Sequence, residues 1–137
     1  MAENKSNAPV ASNWILLTQL QDQEMTAKVR FLGCVLDYDD STGRILVEHD
    51  YILEAKKRGP AQAIVNMKLV LETAGTSCFQ KGTWVNVIGY VQSKGAAYSK
   101  SSSSCMDLPL VQAVLVWDAG AVKLDKYEET ISELLNS

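Results

Sequence analysis

The stretch Lys28-Val-Arg-Phe-Leu-Gly-Cys-Val-Leu-Asp-Tyr38 sets the architecture that the rest of the chain must accommodate. Alternate residues of a β-strand point to opposite faces, and here both sets are mostly apolar, so this strand must be covered on both sides. It is longer than the roughly five or six residues of a usual strand. Gly33 near its middle permits a sharp bend or the close approach of another backbone. The pattern fits the long first strand of a small closed barrel, and equally the buried central strand of an ordinary sheet.

Further strands follow on the C-terminal side of this stretch. The turn cluster DDSTG at residues 39–43 joins it to a second strand at residues 44–50, which is typical of a hairpin. Later strands are predicted at residues 64–72, 83–92 and 110–118, with a second mid-strand glycine, Gly89. On the N-terminal side, the apolar segment WILLTQL at residues 14–20 is interpreted as a plug over one end of the core.

The end of the chain carries the clearest helical pattern. Apolar side chains recur there at helical spacing, at Leu124, Tyr127, Ile131, Leu134 and Leu135. The charged residues Lys126, Glu128, Glu129 and Glu133 are predicted on the opposite, solvent side. Asp125 followed by Glu128 has the form of a capping pair, so a helix is predicted over residues 125–136. Its apolar stripe is expected to be buried on the parent barrel or on a partner.

These elements predict an all-β fold, a five-stranded OB-fold barrel with a C-terminal α-helix. With 137 residues the chain is sized for one domain, predicted at residues 13–137. Residues 1–12 are polar and contain Pro9, which indicates a disordered N-terminus. The Ser-rich residues 93–104 are predicted to form a flexible loop.

Composition excludes several classes of protein. The formal net charge of −3 argues against a dedicated nucleic-acid binder that works alone, since such proteins present a basic surface. Three scattered cysteines form neither a disulfide framework nor a zinc motif and fit a reducing compartment. No run approaches about 18 apolar residues, so neither secretion nor a membrane partner is expected.

The sequence contains little that could support catalysis. His49 is the single histidine, and no second histidine or cysteine stands near it at metal-ligand spacing. Phosphate-binding glycine loops and the Gly-x-Ser-x-Gly motif are absent from the sequence. The sequence therefore predicts no enzyme, no metal, no cofactor and no small-molecule substrate.

Binding of single-stranded nucleic acid needs cations along the phosphates and aromatic rings for the bases. The candidates are Arg44, His49, Lys56, Lys57, Arg58, Lys68, Tyr90, Lys94 and Tyr98. Lys68 interrupts the apolar run 64–72 and is expected to point out of the barrel. The alternative is that these residues are solvated charges and core aromatics. Trp14, Trp84 and Trp117 are expected in the core, so weak, salt-sensitive binding is predicted for the isolated chain.

Four blocks of the sequence resemble a known family. They are KVRFLGCVLDY at 28–38, GRILVEHD at 43–50, GTWVNVIGYV at 82–91 and the tail 111–127, and they resemble the smallest subunit of the fungal CST complex, the telomere-capping trimer. Members are single OB-folds, similar to the smallest subunit of replication protein A. The resemblance implies pairing with the middle CST subunit through the barrel side and the C-terminal helix. It also implies help in binding G-rich telomeric single strands, and a place in the nucleus at telomeres.

The resemblance also suggests roles for particular residues. It implies that Arg30 is a partner-facing cation, and that the helix face offered to the middle subunit consists of Tyr127, Ile131, Leu134 and Leu135. Residues 93–104 form a longer loop than is expected of the family. Two other functions stay open: a single-strand-binding module that acts alone or in a replication protein A-like trimer, and an adaptor barrel that binds only protein.

Overall fold

The computed structural model describes residues 12–49, 61–98 and 107–136. The predictions for residues 1–11, for the basic residues Lys56, Lys57 and Arg58, and for residues 99–104 of the Ser-rich stretch therefore lie outside the described residues. Within them the strands are β1 (Asn13–Trp14), β2 (Lys28–Asp39), β3 (Arg44–His49), β4 (Ala61–Asn66), β5 (Trp84–Ala96) and β6 (Leu108–Asp118). A helix, α1, spans Leu124–Asn136, and 3₁₀ segments span Leu17–Asp22, Lys68–Val70 and Thr76–Phe79.

Five of the strands close into a barrel. The order is β2-β3-β4-β6-β5, and β5 pairs back with β2, so that the sheet meets itself. Only β4 and β6 run parallel within this ring, while β1 adds two residues in parallel to the outside of β2. The predicted five-stranded OB-fold barrel with a C-terminal helix is confirmed.

Strand β2 is shared by the two halves of the barrel. Its residues from Lys28 to Cys34 pair with β5, and its residues from Cys34 to Asp39 pair with β3. At the changeover a β-carbon on Gly33 would lie 3.0 Å from the β-carbon of Val47. Glycine is therefore needed here because β3 crosses β2 too closely for a larger residue.

The core is filled by side chains from the strands, from the 3₁₀ segment Leu17–Asp22 and from the connection between β4 and β5. Alternate residues of β2 and β5 point inward, including Val29, Phe31 and Val87, which are fully buried. Leu17 and Leu20 join the same core cluster, as the predicted plug requires. The connection from β4 to β5 contributes four more buried residues, Met67, Val70, Ala74 and Cys78.

The strand predicted over residues 64–72 is confirmed at residues 64–66 and is wrong beyond Asn66. The extended chain ends at Asn66, and Met67 takes φ −97° and ψ 6° before the 3₁₀ turn. Met67 and Val70 are three residues apart, which is one 3₁₀ turn, so both reach the core. Lys68 accordingly does not project from a strand; it is exposed, and its Cγ lies 3.0 Å from where a β-carbon on Gly43 would stand.

The Ser-rich stretch and the helix also differ from their predicted bounds. Strand β5 continues to Ala96, so residues 93–96 are strand and not flexible loop, and Tyr98 just beyond them is buried. Helix α1 begins at Leu124, one residue before the predicted start. No helix in residues 12–49, 61–98 and 107–136 has the length and apolar character needed to cross a membrane.

Candidate interaction surfaces

One outer surface of the barrel is built by β1, β2, β5 and β6. Neighbouring positions on these strands bring together Trp14, Arg30, Ile88 and Leu115, and the next row places Asn86 beside Trp117. We call Trp14, Arg30, Ile88, Val114, Leu115 and Trp117 the sheet surface.

Arg30 stands at the centre of the sheet surface. Its guanidinium carbon lies 4.5 Å from the ring centroid of Trp14 and 5.3 Å from that of Trp117, so that two indole rings flank one cation. Its Nε is buried and has no hydrogen-bond partner among the described residues. The two rings hold the guanidinium in place.

The apolar part of the sheet surface is exposed because of a β-bulge. Ile88 pairs with Leu115 and Gly89 with Ala113, which leaves Val114 as an extra residue in β6. Val114 is 40% exposed and Leu115 is 48% exposed. Two adjacent apolar side chains thus face solvent on β6.

Helix α1 borders the sheet surface through Tyr127. The indole N–H of Trp14 donates to the Tyr127 hydroxyl at 3.2 Å, and the two rings meet edge-on with centroids 6.2 Å apart. Burial raises the pKa of Tyr127, an effect opposed by the Trp14 hydrogen bond, the Arg30 charge and the backbone of Leu32. Tyr127 is half-buried, so one edge stays available at the margin of the sheet surface.

A buried cluster ties the helix to the barrel. The His49 ring lies 5.1 Å from that of Trp84 and 6.1 Å from that of Tyr127, and its Nε2 lies 3.4 Å from Glu128 Oε2. His49 is 1% exposed and Glu128 is 3% exposed. In this conformation His49 is out of reach of a nucleic acid, and Glu128 does not lie on the solvent side where helical spacing put it.

The predicted partner residues of the helix separate into three groups. Ile131 is fully buried against the chain's own barrel, so it is not presented to a partner in this conformation. Tyr127 lies at the border just described. The side chains of Leu134 and Leu135 lie outside the described residues.

A second outer surface lies on β3, β4 and β6. Leu46 pairs with Ile64, and Ile64 pairs with Leu110, so these three residues, which we call the apolar row, cross three strands. Tyr98 packs on the apolar row and is 4% exposed. Its hydroxyl donates to Asp37 Oδ2 at 3.3 Å.

The other predicted nucleic-acid residues are spread over the barrel. Arg44 follows Gly43 directly, and the stem of Lys68 lies against Gly43, so the stem of Lys68 passes close to the backbone that leads into Arg44. Tyr90 lies elsewhere, with the Lys28 ammonium 6.0 Å from its ring centroid, beside an open groove of about 620 Å³ lined by Met25 and Gln112. Lys94 is half-buried at the far end of β5. The described candidates therefore do not form a single continuous track.

The described part of the chain offers no obvious metal centre. Within residues 12–49, 61–98 and 107–136, no three histidine, cysteine or acidic side chains are grouped so that they could hold a metal ion. The interaction chemistry lies on the outer surfaces and consists of aromatic, aliphatic and cationic side chains.

A closed five-stranded barrel with this strand order is an OB-fold. Its aromatic, aliphatic and cationic side chains lie on the outside of the barrel, as in OB-folds that bind other molecules. The sequence profile of the family described as Ten1, telomere capping, CST complex subunit, matches residues 3–132. Because the match spans nearly all of the 137 residues, the chain belongs to the Ten1 family. The resemblance to the smallest CST subunit is thereby confirmed.

Two solved structures share the fold. The crystal structure of the S. pombe Stn1–Ten1 complex matches with a TM-score of 0.64 and 21% identity, over 94% of this chain and 96% of that chain. The crystal structure of the telomere capping protein Ten1 of S. pombe matches with a TM-score of 0.63 and 21% identity, over 93% of this chain and 100% of that chain. No curated protein sequence matches the chain.

Sequence reasoning missed most of the sheet surface. Trp14 and Trp117 were expected in the core, yet both are half-buried on the outside because they flank Arg30. A signal was available for Trp117, which is in phase with Leu115 and out of phase with the buried Val116. The exposure of Val114 had no such signal, since it depends on a bulge.

Proposed function

We propose that the chain acts, without catalytic activity of its own, as a telomere-capping subunit that binds a larger OB-fold protein of the Stn1 type. Membership of the Ten1 family supports this role, and the S. pombe Ten1 protein forms a complex with Stn1. A chromosome-end complex implies a place in the nucleus. The observation that carries the proposal is the sheet surface, with Arg30 between two tryptophans beside exposed aliphatic residues.

The sheet surface has the composition of a protein interface. Tryptophan, tyrosine and arginine are the residues that most often dominate binding energy, and here all three types lie together around Arg30. The Val114–Leu115 pair supplies exposed apolar area that a partner would cover. A guanidinium held between two rings favours a partner carboxylate, because charged hydrogen bonds of this kind are strong and directional.

Single-stranded DNA is the second ligand that we propose, bound weakly by the chain and more tightly by the complex. The net charge of −3 gives little general attraction to phosphates, so the cations must act locally. Arg44 and Lys68, which both border Gly43, are the described cations that best meet this need.

Binding to the purified middle CST subunit tests the partner surface. We expect Leu115→Asp to raise the Kd at least about thirtyfold, or about 2 kcal/mol, since a partner would have to desolvate a carboxylate. Arg30→Lys keeps the charge but loses the planar group between the rings, and we expect about a tenfold rise. Isothermal titration calorimetry would measure both.

Leu71→Asp is the matched control, because Leu71 is 47% exposed but lies in the connection between β4 and β5, outside the sheet surface. It should leave the Kd within about twofold of wild type. Equal losses from Leu71→Asp and Leu115→Asp, or no loss from Leu115→Asp, would rule out the sheet surface as the docking site.

A further inference from the structure

The apolar row is covered by the chain itself. Leu46, Ile64 and Leu110 occupy outward positions of their strands, where side chains usually meet solvent, yet they are 7%, 0% and 8% exposed. Tyr98 contributes to this cover, and Leu36, Ala96 and Leu108 pack at its margins. The burial therefore comes from the chain itself and needs no partner.

The covered surface is the one that OB-folds use for oligonucleotides. In this class of barrel the second and third strands, with the adjoining loops, present the ligand face. Those strands are β3 and β4 here, and they carry Leu46 and Ile64. Tyr98 follows β5 in the chain and so comes from the connection between the last two strands.

Tyr98 resembles a bound nucleobase in its chemistry. It brings an aromatic ring onto aliphatic side chains, and a donor at the ring edge that bonds a carboxylate, Asp37. A nucleobase likewise combines a flat apolar face with donors on its edge. Guanine offers two neighbouring donors on its Watson–Crick edge, the ring N–H and the exocyclic amine, and a carboxylate can accept both.

We propose that Tyr98 fills a nucleobase site, and that single-stranded DNA binds there by displacing it. The incoming base packs on the apolar row and donates to Asp37, with guanine preferred. Arg44, two residues from Leu46 on the same strand, lies on the same face and contacts the phosphate. This inference rests on the single-strand binding put forward under the proposed function. It adds the site of that binding, the base preference and the way in which Tyr98 regulates it.

The need to displace Tyr98 would lower the affinity of the isolated barrel for single-stranded DNA. When the competent state is a minor fraction of the population, the apparent Kd is the intrinsic Kd divided by that fraction. Removing the ring of Tyr98 abolishes the internal competitor and recovers the lost affinity.

The test uses the complex with the middle subunit and a short fluorescein-labelled oligonucleotide of alternating thymine and guanine. Tyr98→Ser is expected to tighten binding at least about fivefold in fluorescence anisotropy. Tyr38→Ser is the control, since Tyr38 packs on Phe79 at 4.8 Å on the same barrel and its loss should not tighten binding. Unchanged or weaker binding by Tyr98→Ser would overturn the proposal, because the ring would then be no competitor.

Base preference gives an independent readout. Replacing guanine by hypoxanthine removes the exocyclic donor, and the Tyr98→Ser complex should lose at least about threefold in affinity. In the Tyr98→Ser, Asp37→Asn double variant this difference should vanish. A persisting difference would mean that Asp37 does not read the base.

A third measurement uses the wild-type complex, in which no substitution can disturb folding. Fluorotyrosine incorporation gives a fluorine NMR signal for Tyr98, assigned by its absence from Tyr98→Phe. We expect this signal to move to its solvent-exposed position as oligonucleotide is added. DNA binding without that movement contradicts displacement but leaves the proposed function intact, whereas loss of partner binding would contradict the proposed function alone.

Discussion

At the scale of single residues, Tyr127 shows how a side chain can serve two purposes. Its hydroxyl accepts from Trp14, which joins the two ends of the described chain, and its ring contacts His49 in the buried cluster. The ring lies in a poorly hydrated position that disfavours the charged phenolate, and this burial is the largest cause of the raised pKa of Tyr127.

The raised pKa of Tyr127 predicts an alkaline loss of stability. The unfolded state gives up this proton near its usual pKa of about 10, while the folded state keeps it to higher pH. The stabilisation is complete below about pH 10 and is lost as pH rises through the raised pKa. We expect the free energy of unfolding to fall with pH in this range, by at most about 1.4 kcal/mol per pH unit more than in Tyr127→Phe.

Urea unfolding of both proteins from pH 9 to pH 11 checks this prediction. Each protein retains the other four tyrosines, so their common titration cancels in the difference. Parallel curves for the two proteins would show that Tyr127 titrates normally.

At the scale of elements, the close packing of β5 on β6 depends on Gly89. A β-carbon there would collide with the backbone carbonyl of Gln112, and backbone cannot move aside as a flexible side chain can. Gly95 on the same strand differs, since its nearest atom would be Asp107 Oδ1 at 3.5 Å, an ordinary contact.

Gly89→Ala should lower the free energy of unfolding by about 2–3 kcal/mol, because β6 must shift or the barrel must strain. Gly95→Ala should change it by no more than about 0.5 kcal/mol. Chemical denaturation measures both. Similar values for the two variants would mean that β5 and β6 can separate without cost.

The same elements show where sequence reasoning succeeds and fails. The shared strand β2 was predictable because an apolar pattern on both faces has few solutions. The 3₁₀ turn after Asn66 was not predictable, since residues 64–71 are apolar except for Asn66 and Lys68, and such a run also fits a strand that is buried on both faces. Glu128 misled the prediction of helix orientation, because its burial depends on His49, which is distant in sequence.

At the scale of the whole molecule, charge decides how nucleic acid can be bound. The barrel could be predicted from strand patterns and the family from the resemblance of sequence blocks, but the position of Lys68 beside Gly43 and Arg44 required the fold. With a net charge of −3, such local grouping matters more than the total.

Charge reversal of both Arg44 and Lys68 should therefore weaken single-stranded DNA binding by the complex about tenfold at low salt. Each lost phosphate contact should also reduce the slope of log affinity against log salt by about 0.7. Lys81→Glu, at another exposed lysine, controls for general charge. An unchanged slope in the double variant would exclude both residues from the DNA contact.

The hydrogen bond between Trp14 and Tyr127 joins residues 113 positions apart. A ribosome that adds about 5–20 residues per second produces the second of them on the order of ten seconds after the first. The proposed docking surface needs Trp14, Trp117 and Tyr127 together, so a nascent chain cannot present the whole surface to its companion before Tyr127 has been synthesised.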